Sequence, residues 1–420
     1  MQLASIEANK KHDDIILLSA TGSGKTLAFL LPMLQLLDGN NKETQAIIIV
    51  PSRELALQIE KVFKSMVSGF KVSCCYGGHK REIEENNLIE PPALLIGTPG
   101  RLGDHIRRGN LSLGSIHTLI LDEFDKSLEM GFQEEMAFII RALPALKKRI
   151  LTSATEAVEI PSFMCLDKPY RLDFLKHDDL ANSGLEIKSV YSETLDKSDT
   201  LFRLICANGS QSTLVFCNQR ETVEQLSEML DKKGIRNEYY HGALEQKERE
   251  SALCKFRNGT SDVLITTDLA SRGLDIPNIR HIIHYHLPLT EDAFTHRNGR
   301  TARQETSGTA ILILAPKEYL PPYIDSNIEK IKLPETAVVP DKPKWMTLFI
   351  AAGKKDKINK IDIVGFLSHK ALLKKEDIGL IDVKDYFSFV AIRKSKIANT
   401  LELIRDEKIK NRKIKMEIAK

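Results

Sequence analysis

The stretch "SATGSGKT" at residues 19–26 decides the fold of the first part of this chain. It follows the apolar run "IILL" at residues 15–18 and precedes "TLAFLLPMLQLL", a pattern typical of a helix. Glycines let backbone N–H groups approach a phosphate closely, and the start of a helix attracts anions. A strand, this loop and a helix in sequence therefore predict a phosphate-binding loop in an α/β domain, with a structural Gly/Ser turn as the alternative.

Side chains of this loop predict the chemistry of nucleotide binding. Lys25 can reach the β and γ phosphates of ATP, and the hydroxyl of Thr26 can ligate Mg²⁺. The full pattern of such loops begins with glycine, whereas Ser19 stands at that place here. The expected nucleotide-binding residues of the loop are Thr21, Gly22, Ser23, Gly24, Lys25 and Thr26.

The stretch "LILDEFD" at residues 119–125 predicts a strand that ends in carboxylates. Open α/β sheets bind ligands at the carboxyl ends of their strands, so we expect Asp122 to hold Mg²⁺ through water. Glu123 can orient and deprotonate the water that attacks ATP. A helix N-cap is the alternative for such an acidic cluster, but its pairing with a phosphate loop favours a catalytic site of Asp122, Glu123 and Lys25.

Short apolar runs alternate with amphipathic segments, a rhythm that predicts parallel sheets wrapped by helices. The predicted strands are 15–18, 46–50, 93–97, 118–122 and 149–152, then 213–217, 262–266, 281–285 and 310–314. We expect tandem α/β domains at residues 1–178 and 185–333, joined by the weakly structured segment 175–184. A second break at 333–344, with three prolines, precedes a third domain at 345–420.

Composition indicates a folded protein of several domains. The chain has 420 residues, of which 42% are hydrophobic and 28% charged. Neither a membrane span nor a signal peptide is predicted. The six cysteines form no CxxC pair, so reduced thiols and a cytoplasmic location are expected.

Positive charge is concentrated at the C-terminal end of the chain. Residues 341–420 hold 20 Lys and Arg against 11 Asp and Glu, a net charge of +9, whereas the whole chain has +3. This asymmetry indicates contact with nucleic acid or another anionic surface. A solvated lysine-rich surface is the alternative.

The stretch "HRNGRTAR" at residues 296–303 offers cations for phosphoryl transfer. Arginine suits the charge that develops on the γ-phosphate, and Arg300 and Arg303 share a face if this segment is helical. A solvated basic turn is the alternative. With the phosphate loop in one domain and these arginines in the other, hydrolysis would require the domains to close on the nucleotide.

Ten motifs occur in the order found in the DEAD-box RNA helicase family, which this sequence resembles. The motifs are "ATGSGKT", "PSRELALQ" (51–58), "GG" (77–78), "TPGR" (98–101), "DEFD", "SAT" (153–155), "LVFCN" (214–218), "QKER" (246–249), "TTDLASRGLD" (266–275) and "HRNGRTAR". The resemblance implies two RecA-like domains, ATP hydrolysis and local, non-processive opening of RNA duplexes.

The same resemblance implies roles for particular residues. Asp275 would contact the nucleotide ribose, and Ser153 and Thr155 would link the nucleotide state to unwinding. The residues implied along the RNA path or its coupling to the ATP site are Arg53, Gly78, Thr98, Arg101, Gln246 and Arg272.

The sequence departs from the family pattern at two places. Phe124 replaces a small residue in the name-giving tetrapeptide, but the carboxylates around it remain. Gln2 occupies the place of the glutamine that reads adenine, while the aromatic residue that precedes it in the family has no counterpart. Either the chain is shortened or its start is assigned too late, and the sequence therefore leaves adenine selectivity and ATP affinity open.

The basic C-terminal block resembles an RNA-recognition motif, and within the family the C-terminal domain of the DbpA type. The stretches "TLFIAAG" (347–353) and "DYFSFVAI" (385–392) predict its central strands, on which Phe349, Phe387 and Phe389 would lie near RNA bases. A fold whose aromatics are core residues is the alternative. The DbpA-type resemblance implies structured ribosomal RNA as the partner, with pre-ribosomal particles, and a monomeric protein.

Two other functions fit the same motifs. One is an ATP-dependent clamp that grips RNA without unwinding it, which hydrolysis and duplex-release assays would distinguish. The other is a helicase directed at DNA, which a comparison of RNA and DNA as activators of hydrolysis would test. The "SAT" and "DEFD" pair and the tail favour RNA.

Overall fold

The computed structural model describes residues 1–20, 23–78, 80–155, 160–175, 184–271, 279–301 and 308–419. The chain divides into two compact units, the first formed by residues 1–183 together with the segment 294–299, and the second by most of the remaining residues. Both units depend on the apolar runs that the sequence pattern assigns to strands.

The first unit is a parallel sheet flanked by helices. Its strands are β1 (Asp14–Leu18), β2 (Ala46–Ile49), β3 (Val72–Cys75), β4 (Leu94–Gly97), β5 (Thr118–Leu121), β6 (Lys148–Ser153) and β7 (Tyr170–Asp173). Its helices are α1 (Gln2–Lys11), α2 (Lys25–Leu34), α3 (Arg53–Ser65), α4 (Arg81–Leu88), α5 (Pro99–Arg107), α6 (Phe124–Glu129) and α7 (Gln133–Arg141).

Strand order in this sheet is β3-β4-β2-β5-β6-β1-β7 within the described residues. Strands β2, β4 and β5 are buried at every position, as expected of strands covered by helices on both faces. One apolar cluster lies on each face of the sheet, with Ile47, Leu95 and Leu119 in one and Ile48 and Ile96 in the other. The sequence pattern did not predict β3 and β7, whose short runs are less apolar.

The second unit begins with a similar parallel sheet. Its strands are β8 (Leu185–Tyr191), β9 (Thr213–Phe216), β10 (Asn237–Tyr240), β11 (Val263–Thr266), β12 (His281–His284), β13 (Gly308–Leu314) and β14 (Glu329–Lys330). Its helices are α8 (Ser198–Asn208), α9 (Arg220–Lys232) and α10 (Gln246–Arg257), and α11 (Glu291–Asn298) begins in this unit. The order of the described strands is β10-β11-β9-β12-β13-β8-β14, and all are parallel to their neighbours.

The C-terminal part of this unit is an antiparallel α+β domain. Its elements are β15 (Trp345–Ile350), α12 (Lys360–Lys370), β16 (Ile378–Val383), β17 (Ser388–Arg393), α13 (Ile397–Ile404), β18 (Lys408–Ile409), β19 (Arg412–Lys413) and β20 (Met416–Ile418). The sheet order β16-β17-β15-β20 is that of a split βαβ fold, and β18 and β19 form a separate hairpin. The predicted fold class, two parallel α/β domains followed by a small α+β domain, is thus confirmed.

The segments between domains carry little regular structure where they are described. Residues 331–344 contain neither helix nor strand, whereas residues 176–183 of the first predicted linker lie outside the described part of the chain. The exact domain boundaries therefore stay predictions.

All six cysteines are free thiols. The helices α3 and α9 have 13 residues each, and none of the described helices could cross a membrane.

A close approach of β3 and β4 gives a test of this packing. A Cβ atom at Gly97 would lie 2.5 Å from the Cys75 carbonyl oxygen and 2.7 Å from Cγ of Leu102, whereas one at Gly100 would have open space around it. We predict that Gly97→Ala destabilises the first unit by about 1–3 kcal/mol, because the backbone must shift. Gly100→Ala is the matched control, and thermal unfolding of both variants measures the effect. Equal unfolding midpoints would contradict the predicted overpacking.

Candidate active site and nucleic-acid interface

The loop after β1 is shaped by Gly24, which directly precedes α2. Its φ of +94° lies in the left-handed region, and a Cβ atom there would come 2.5 Å from Nε2 of Gln2. Gln2 donates from that nitrogen to the Gly24 carbonyl at 3.4 Å, so α1 is joined to the predicted phosphate loop. Lys25 donates from Nζ to the Ser19 carbonyl at 2.6 Å, and the Ser19 and Ser23 hydroxyls share a hydrogen bond. The loop, Gln2 and the predicted lysine therefore meet at one place.

Asp122 lies directly after β5 and is 3% exposed. Its Oδ1 accepts hydrogen bonds from the Thr152 hydroxyl and, at 3.1 Å, from the Glu123 N–H. Burial raises the pKa of this carboxyl, against the opposing effects of the Thr152 hydrogen bond and the Lys25 charge. A carboxylate held in this way is destabilising by itself and suits a bound cation.

Glu123 has a backbone conformation that is rare for a residue with a side chain. Its φ is +50° and ψ is +48°, and it precedes the first residue of α6. The Glu123 N–H also approaches the Thr152 hydroxyl at 3.3 Å, which fixes the turn from strand to helix. Backbone strain of this kind is typical of functional sites, and here it occurs at the predicted general base, directly beside Asp122.

The "SAT" turn is hydrogen-bonded to the last carboxylate of "DEFD". Ser153 accepts from the Thr155 N–H at 3.0 Å, and the Thr155 hydroxyl donates to Oδ2 of Asp125 at 3.4 Å. The other carboxylate oxygen of Asp125 is buried and has no hydrogen-bond partner among the described residues. Thr155 thus contacts the acidic motif directly, and Ser153 is linked to that motif through Thr155.

Phe124 explains how the departure within "DEFD" is tolerated. Its ring is 3% exposed and belongs to the apolar cluster beneath the sheet, with Leu121 and Leu151. The third position of the tetrapeptide therefore faces the core, while its carboxylates face the site. A larger side chain there changes packing and leaves the acidic groups in place.

These groups fit a nucleotide that carries a divalent cation. Asp122 and Asp125 offer buried carboxylate oxygens, and Thr26 is in the first turn of α2 beside Lys25. Oxygen ligands are those that Mg²⁺ prefers, and the start of α2 favours phosphate.

A second group of predicted residues gathers beyond β2 and β3. The Arg53 guanidinium lies over the Tyr76 ring at 4.6 Å. Gly78 has a φ of +93°, and a Cβ atom there would be 3.4 Å from Nη1 of Arg53. Two of the predicted RNA contacts, Arg53 and Gly78, are therefore neighbours.

Arg101 and Thr98 join this group through α4 and α5. Thr98 precedes the first residue of α5, and its N–H donates to the Cys75 carbonyl at 3.0 Å. The Arg101 Nε lies 3.5 Å from a carboxylate oxygen of Glu84, which is buried and contacts Nε2 of His105 at 2.7 Å. The other oxygen of Glu84 accepts from the Tyr76 N–H at 2.8 Å. This buried carboxylate ties Arg101 to the Arg53 and Gly78 neighbourhood.

The remaining predicted residues are described in part. Gln246 is the first residue of α10, and its amide donates to Glu250 at 2.9 Å. Arg300 is 3% exposed. The structure therefore leaves their predicted roles as predictions. The residues that lie outside the described part of the chain are Thr21, Gly22, Arg272, Asp275 and Arg303.

The three predicted base-stacking residues form one aromatic cluster. Ring centroids are 5.8 Å apart for Phe349 and Phe387, 5.7 Å for Phe349 and Phe389, and 5.4 Å for Phe387 and Phe389. Phe389 is 1% exposed, so its ring is not open to a base in this structure, which agrees with the core alternative for this residue. Phe349 and Phe387 are partly exposed.

Sequence reasoning missed the residues that hold these groups in place. Thr152 and Glu84 each support a predicted residue from a distant part of the chain. Thr152 stands immediately before "SAT", at the end of a predicted strand, and its polarity within an apolar run was an available signal. Glu84 is one acidic residue among several on α4, and nothing local distinguishes it.

Comparisons with known families agree with this geometry. Residues 1–161 match the DEAD/DEAH box helicase family, residues 196–305 the helicase conserved C-terminal domain, and residues 347–418 the DbpA RNA binding domain. All three matches follow the order of the folded domains.

Relatives align with the whole chain. The sequence is 32% identical to the ATP-dependent RNA helicase DbpA of Escherichia coli (strain K12), over 100% of this chain and 94% of that protein. It is 30% identical to the ATP-dependent RNA helicase DbpA of Bacillus subtilis (strain 168), again over 100% and 94%.

Solved structures share the fold of about three quarters of this chain. S. cerevisiae Dbp5 bound to RNA and ADP BeF3 is similar with a TM-score of 0.67 and 28% identity, over 75% of this chain and 83% of that one. Mss116p bound to ssRNA and AMP-PNP is similar with a TM-score of 0.65 and 26% identity, over 74% and 68%.

A phosphate loop and clustered carboxylates on a RecA-like sheet define a nucleotide-hydrolysing motor protein. The chain belongs to the DEAD-box family of ATP-dependent RNA helicases, and its C-terminal domain is of the DbpA type. It is an enzyme that binds and hydrolyses ATP and binds RNA. The alternative of a helicase directed at DNA is thereby set aside.

The buried carboxyl of Asp122 predicts a stability gain on neutralisation. We expect Asp122→Asn to raise the midpoint of thermal unfolding without nucleotide by roughly 2–4 °C, because it removes a buried charge. The raised pKa means that the native state holds this proton more tightly than the unfolded state. Wild-type stability therefore falls as pH rises through the interval between the two pKa values, and the gain should be larger on the alkaline side of that interval than on its acid side.

Asp104→Asn is the matched control for this experiment. A hydrogen bond from Arg108 lowers the pKa of Asp104, so its removal should give no gain at neutral pH. A lower unfolding midpoint for Asp122→Asn across this pH range would show that the ionised carboxyl stabilises the fold.

Proposed function

We propose that this helicase remodels structured ribosomal RNA during ribosome assembly, as a cytoplasmic monomer that uses ATP together with Mg²⁺. The observation that carries the proposal is the C-terminal domain. It matches the DbpA RNA binding domain over residues 347–418, and the DbpA-type resemblance implies a ribosomal target. Its excess of positive charge suits a structured RNA, whose phosphates lie close together. Free thiols at all six cysteines suit a reducing compartment.

Hydrolysis is assigned to the groups at the edge of the first sheet. Lys25 and the start of α2 bind phosphate oxygens, while Thr26 and, through water, Asp122 would hold Mg²⁺. The cation would neutralise charge that develops on the phosphates. Glu123 orients the attacking water and accepts its proton, and the Thr152 hydroxyl keeps Asp122 in place.

The coupling of ATP hydrolysis to RNA unwinding is assigned to the hydrogen-bonded chain from "DEFD" to "SAT". A change at Asp125 alters the partner of the Thr155 hydroxyl, which in turn is tied to Ser153. Arg300 and Arg303 would supply positive charge to the transition state, and Asp275 would contact the ribose. Gln2 is proposed to read adenine from its place beside Gly24.

RNA binding is assigned to the predicted RNA contacts that gather beyond β2 and β3 in the first unit. Arg53, Gly78, Thr98 and Arg101 would contact the backbone of one strand, with the arginines binding phosphate. Gln246 and Arg272 would act from the second predicted domain. Bending of the bound strand then dislodges its partner, whereas a clamp would hold it without strand release. A duplex-release assay at saturating ATP distinguishes these two outcomes.

Glu123 gives the sharpest test of the chemistry. We predict that Glu123→Gln lowers the RNA-stimulated kcat for ATP hydrolysis by about 10²-fold or more, because the general base is removed. Binding of ATP and RNA should stay within about twofold, since the amide keeps the shape of the side chain. Steady-state hydrolysis and fluorescent-nucleotide binding measure the two effects.

Glu129→Gln is the matched control. Glu129 is the last residue of α6, the helix that follows Glu123, and it pairs with Lys126 on the surface. This variant should retain wild-type hydrolysis. Hydrolysis by Glu123→Gln within a few-fold of wild type would remove Glu123 from the proposed role.

The RNA assignment is tested with two exposed lysines of the β18–β19 hairpin. We predict that Lys408→Gln/Lys413→Gln weakens binding to a ribosomal RNA fragment and makes the slope of log affinity against log salt shallower, by about 0.9 for each phosphate that the protein no longer neutralises. Lys42→Gln/Lys64→Gln, on the surface of the first unit, is the control of equal charge. RNA crosslinking in cells identifies the target, and recovery of messenger rather than ribosomal RNA would contradict the proposed target.

A further inference from the structure

The sheet of the C-terminal domain has two different faces. Met346, Leu348 and Ile350 of β15 belong to the apolar cluster that includes residues of α12 and α13. Because side chains alternate along a strand, Thr347 and Phe349 point to the opposite face. In RNA-recognition folds this opposite face is the one on which bases stack.

The second parallel-sheet domain covers that opposite face. Thr347 is fully buried, and its hydroxyl accepts from Nδ2 of Asn258 at 3.1 Å and shares a hydrogen bond of 2.8 Å with the Thr260 hydroxyl. Asn258 immediately follows α10. A buried threonine that finds its partners in another domain marks a specific docking contact.

Asp382 of β16 makes a second contact with α10. Its Oδ2 lies 2.8 Å from Nζ of Lys384 in its own domain, and 3.9 Å from Nη1 of Arg257. The Cys254 thiol donates to the same oxygen at 3.5 Å. Burial opposes ionisation of Asp382, but Lys384 and Arg257 hold its pKa below the ordinary value. The Cys254 residue is 3% exposed, and this burial, with the Asp382 charge, raises the pKa of its thiol to about 12.

Aromatic residues complete the docked face. Phe389 is 1% exposed, and the Lys247 ammonium lies 5.1 Å from the centroid of the Phe349 ring. Lys247 is the second residue of α10. Contacts of the C-terminal domain therefore run from the start of α10 to the residues just beyond its end.

The start of α10 also carries Gln246, a proposed RNA contact. Glu245 and Glu248 form a capping box there, in which the Glu245 N–H donates to the Glu248 carboxylate at 2.8 Å. A helix that is capped at one end and braced along its length presents its first residues in one fixed geometry.

We propose that the sheet face of the C-terminal domain that carries Thr347 and Phe349 is an intramolecular docking surface for α10. Through this contact the C-terminal domain fixes the RNA-contacting start of that helix. The aromatic cluster then serves docking rather than base stacking, and target RNA is bound by another surface of the domain. Thr347 and Asp382 are positioning residues in this arrangement. The inference rests on the proposed function where it concerns Gln246, and the docking contact itself does not.

The test uses the full chain with Thr347→Val/Asp382→Asn, which removes the polar docking contacts with little change of shape. Thr400→Val/Glu402→Gln is the matched control in the same domain. Thr400 is fully buried on α13, and its hydroxyl has no hydrogen-bond partner among the described residues, while Glu402 is exposed on the same helix. Circular dichroism and thermal unfolding establish that both variants are folded.

The first readout is the rate at which Cys254 reacts with a maleimide, followed peptide by peptide with mass spectrometry. Docking predicts about tenfold faster labelling in the docking variant and no change in the control, because reactivity follows the population of the open interface. Unchanged labelling of Cys254 would overturn the docking role of Thr347 and Asp382, whatever the RNA target is.

The second readout is ATP hydrolysis stimulated by a ribosomal RNA fragment and by a scrambled RNA. The docking variant should bind the fragment within about twofold of wild type, yet lose most of the difference in stimulation between the two RNAs. If the docking variant labels quickly at Cys254 but still hydrolyses ATP faster with the ribosomal fragment than with the scrambled RNA, as wild type does, the positioning role of Thr347 and Asp382 is overturned. If wild type itself shows no preference, the proposed target fails, while the labelling result still decides the docking.

Phe389→Leu separates docking from base stacking. It keeps an apolar side chain at the docked face but removes the aromatic ring, so affinity for the fragment should stay within about twofold of wild type. Base stacking would predict a loss of about tenfold or more, because one stacked base contributes roughly 1–3 kcal/mol. Such a loss with normal protection of Cys254 would overturn the assignment of this face to docking.

Discussion

Parallel pairing of β1, β6 and β5 is the constraint on which the catalytic edge depends. Leu18 pairs with Ser153, and Leu121 pairs with Leu151, so the three strands end within a few residues of one another. The phosphate loop, the carboxylates and the "SAT" turn come directly after these ends. Segments that lie about a hundred residues apart in sequence are thus brought to one edge by the register of the sheet.

Side chains at this edge work against the stability of the unit that carries them. Asp122 is a buried carboxyl with a raised pKa, and Glu123 has a left-handed backbone conformation. Both features cost free energy in the resting protein and are tolerated because the strands beneath are buried and regular. The Thr152 hydroxyl links the two residues, since it contacts the Asp122 carboxylate and the Glu123 N–H. The apolar sheet supplies the stability that the site lacks.

Local sequence patterns predicted the central strands and the site residues next to them, but contacts between distant residues could not be predicted in this way. Apolar runs marked the strands, and residues directly after them, such as Lys25 and Asp122, could be assigned to a site because parallel strands share an edge. Glu84 could not be identified as a support of Arg101, since that contact depends on how α4 and α5 pack. The aromatic pattern placed Phe389 on a sheet face correctly, but only the fold shows that this face is covered.

Specific contacts between α10 and the C-terminal sheet limit how freely this chain could be recombined. A basic RNA-binding domain is often regarded as an appendage that can be exchanged between motors. Here Thr347 forms hydrogen bonds with Asn258 and Thr260, so the docking contact also depends on residues of the motor domain. A chimera that transfers the C-terminal domain alone would carry an unsatisfied buried hydroxyl to a foreign helix. The C-terminal sheet face and the α10 surface must therefore be exchanged together, because a change on one surface limits which substitutions the other can accept.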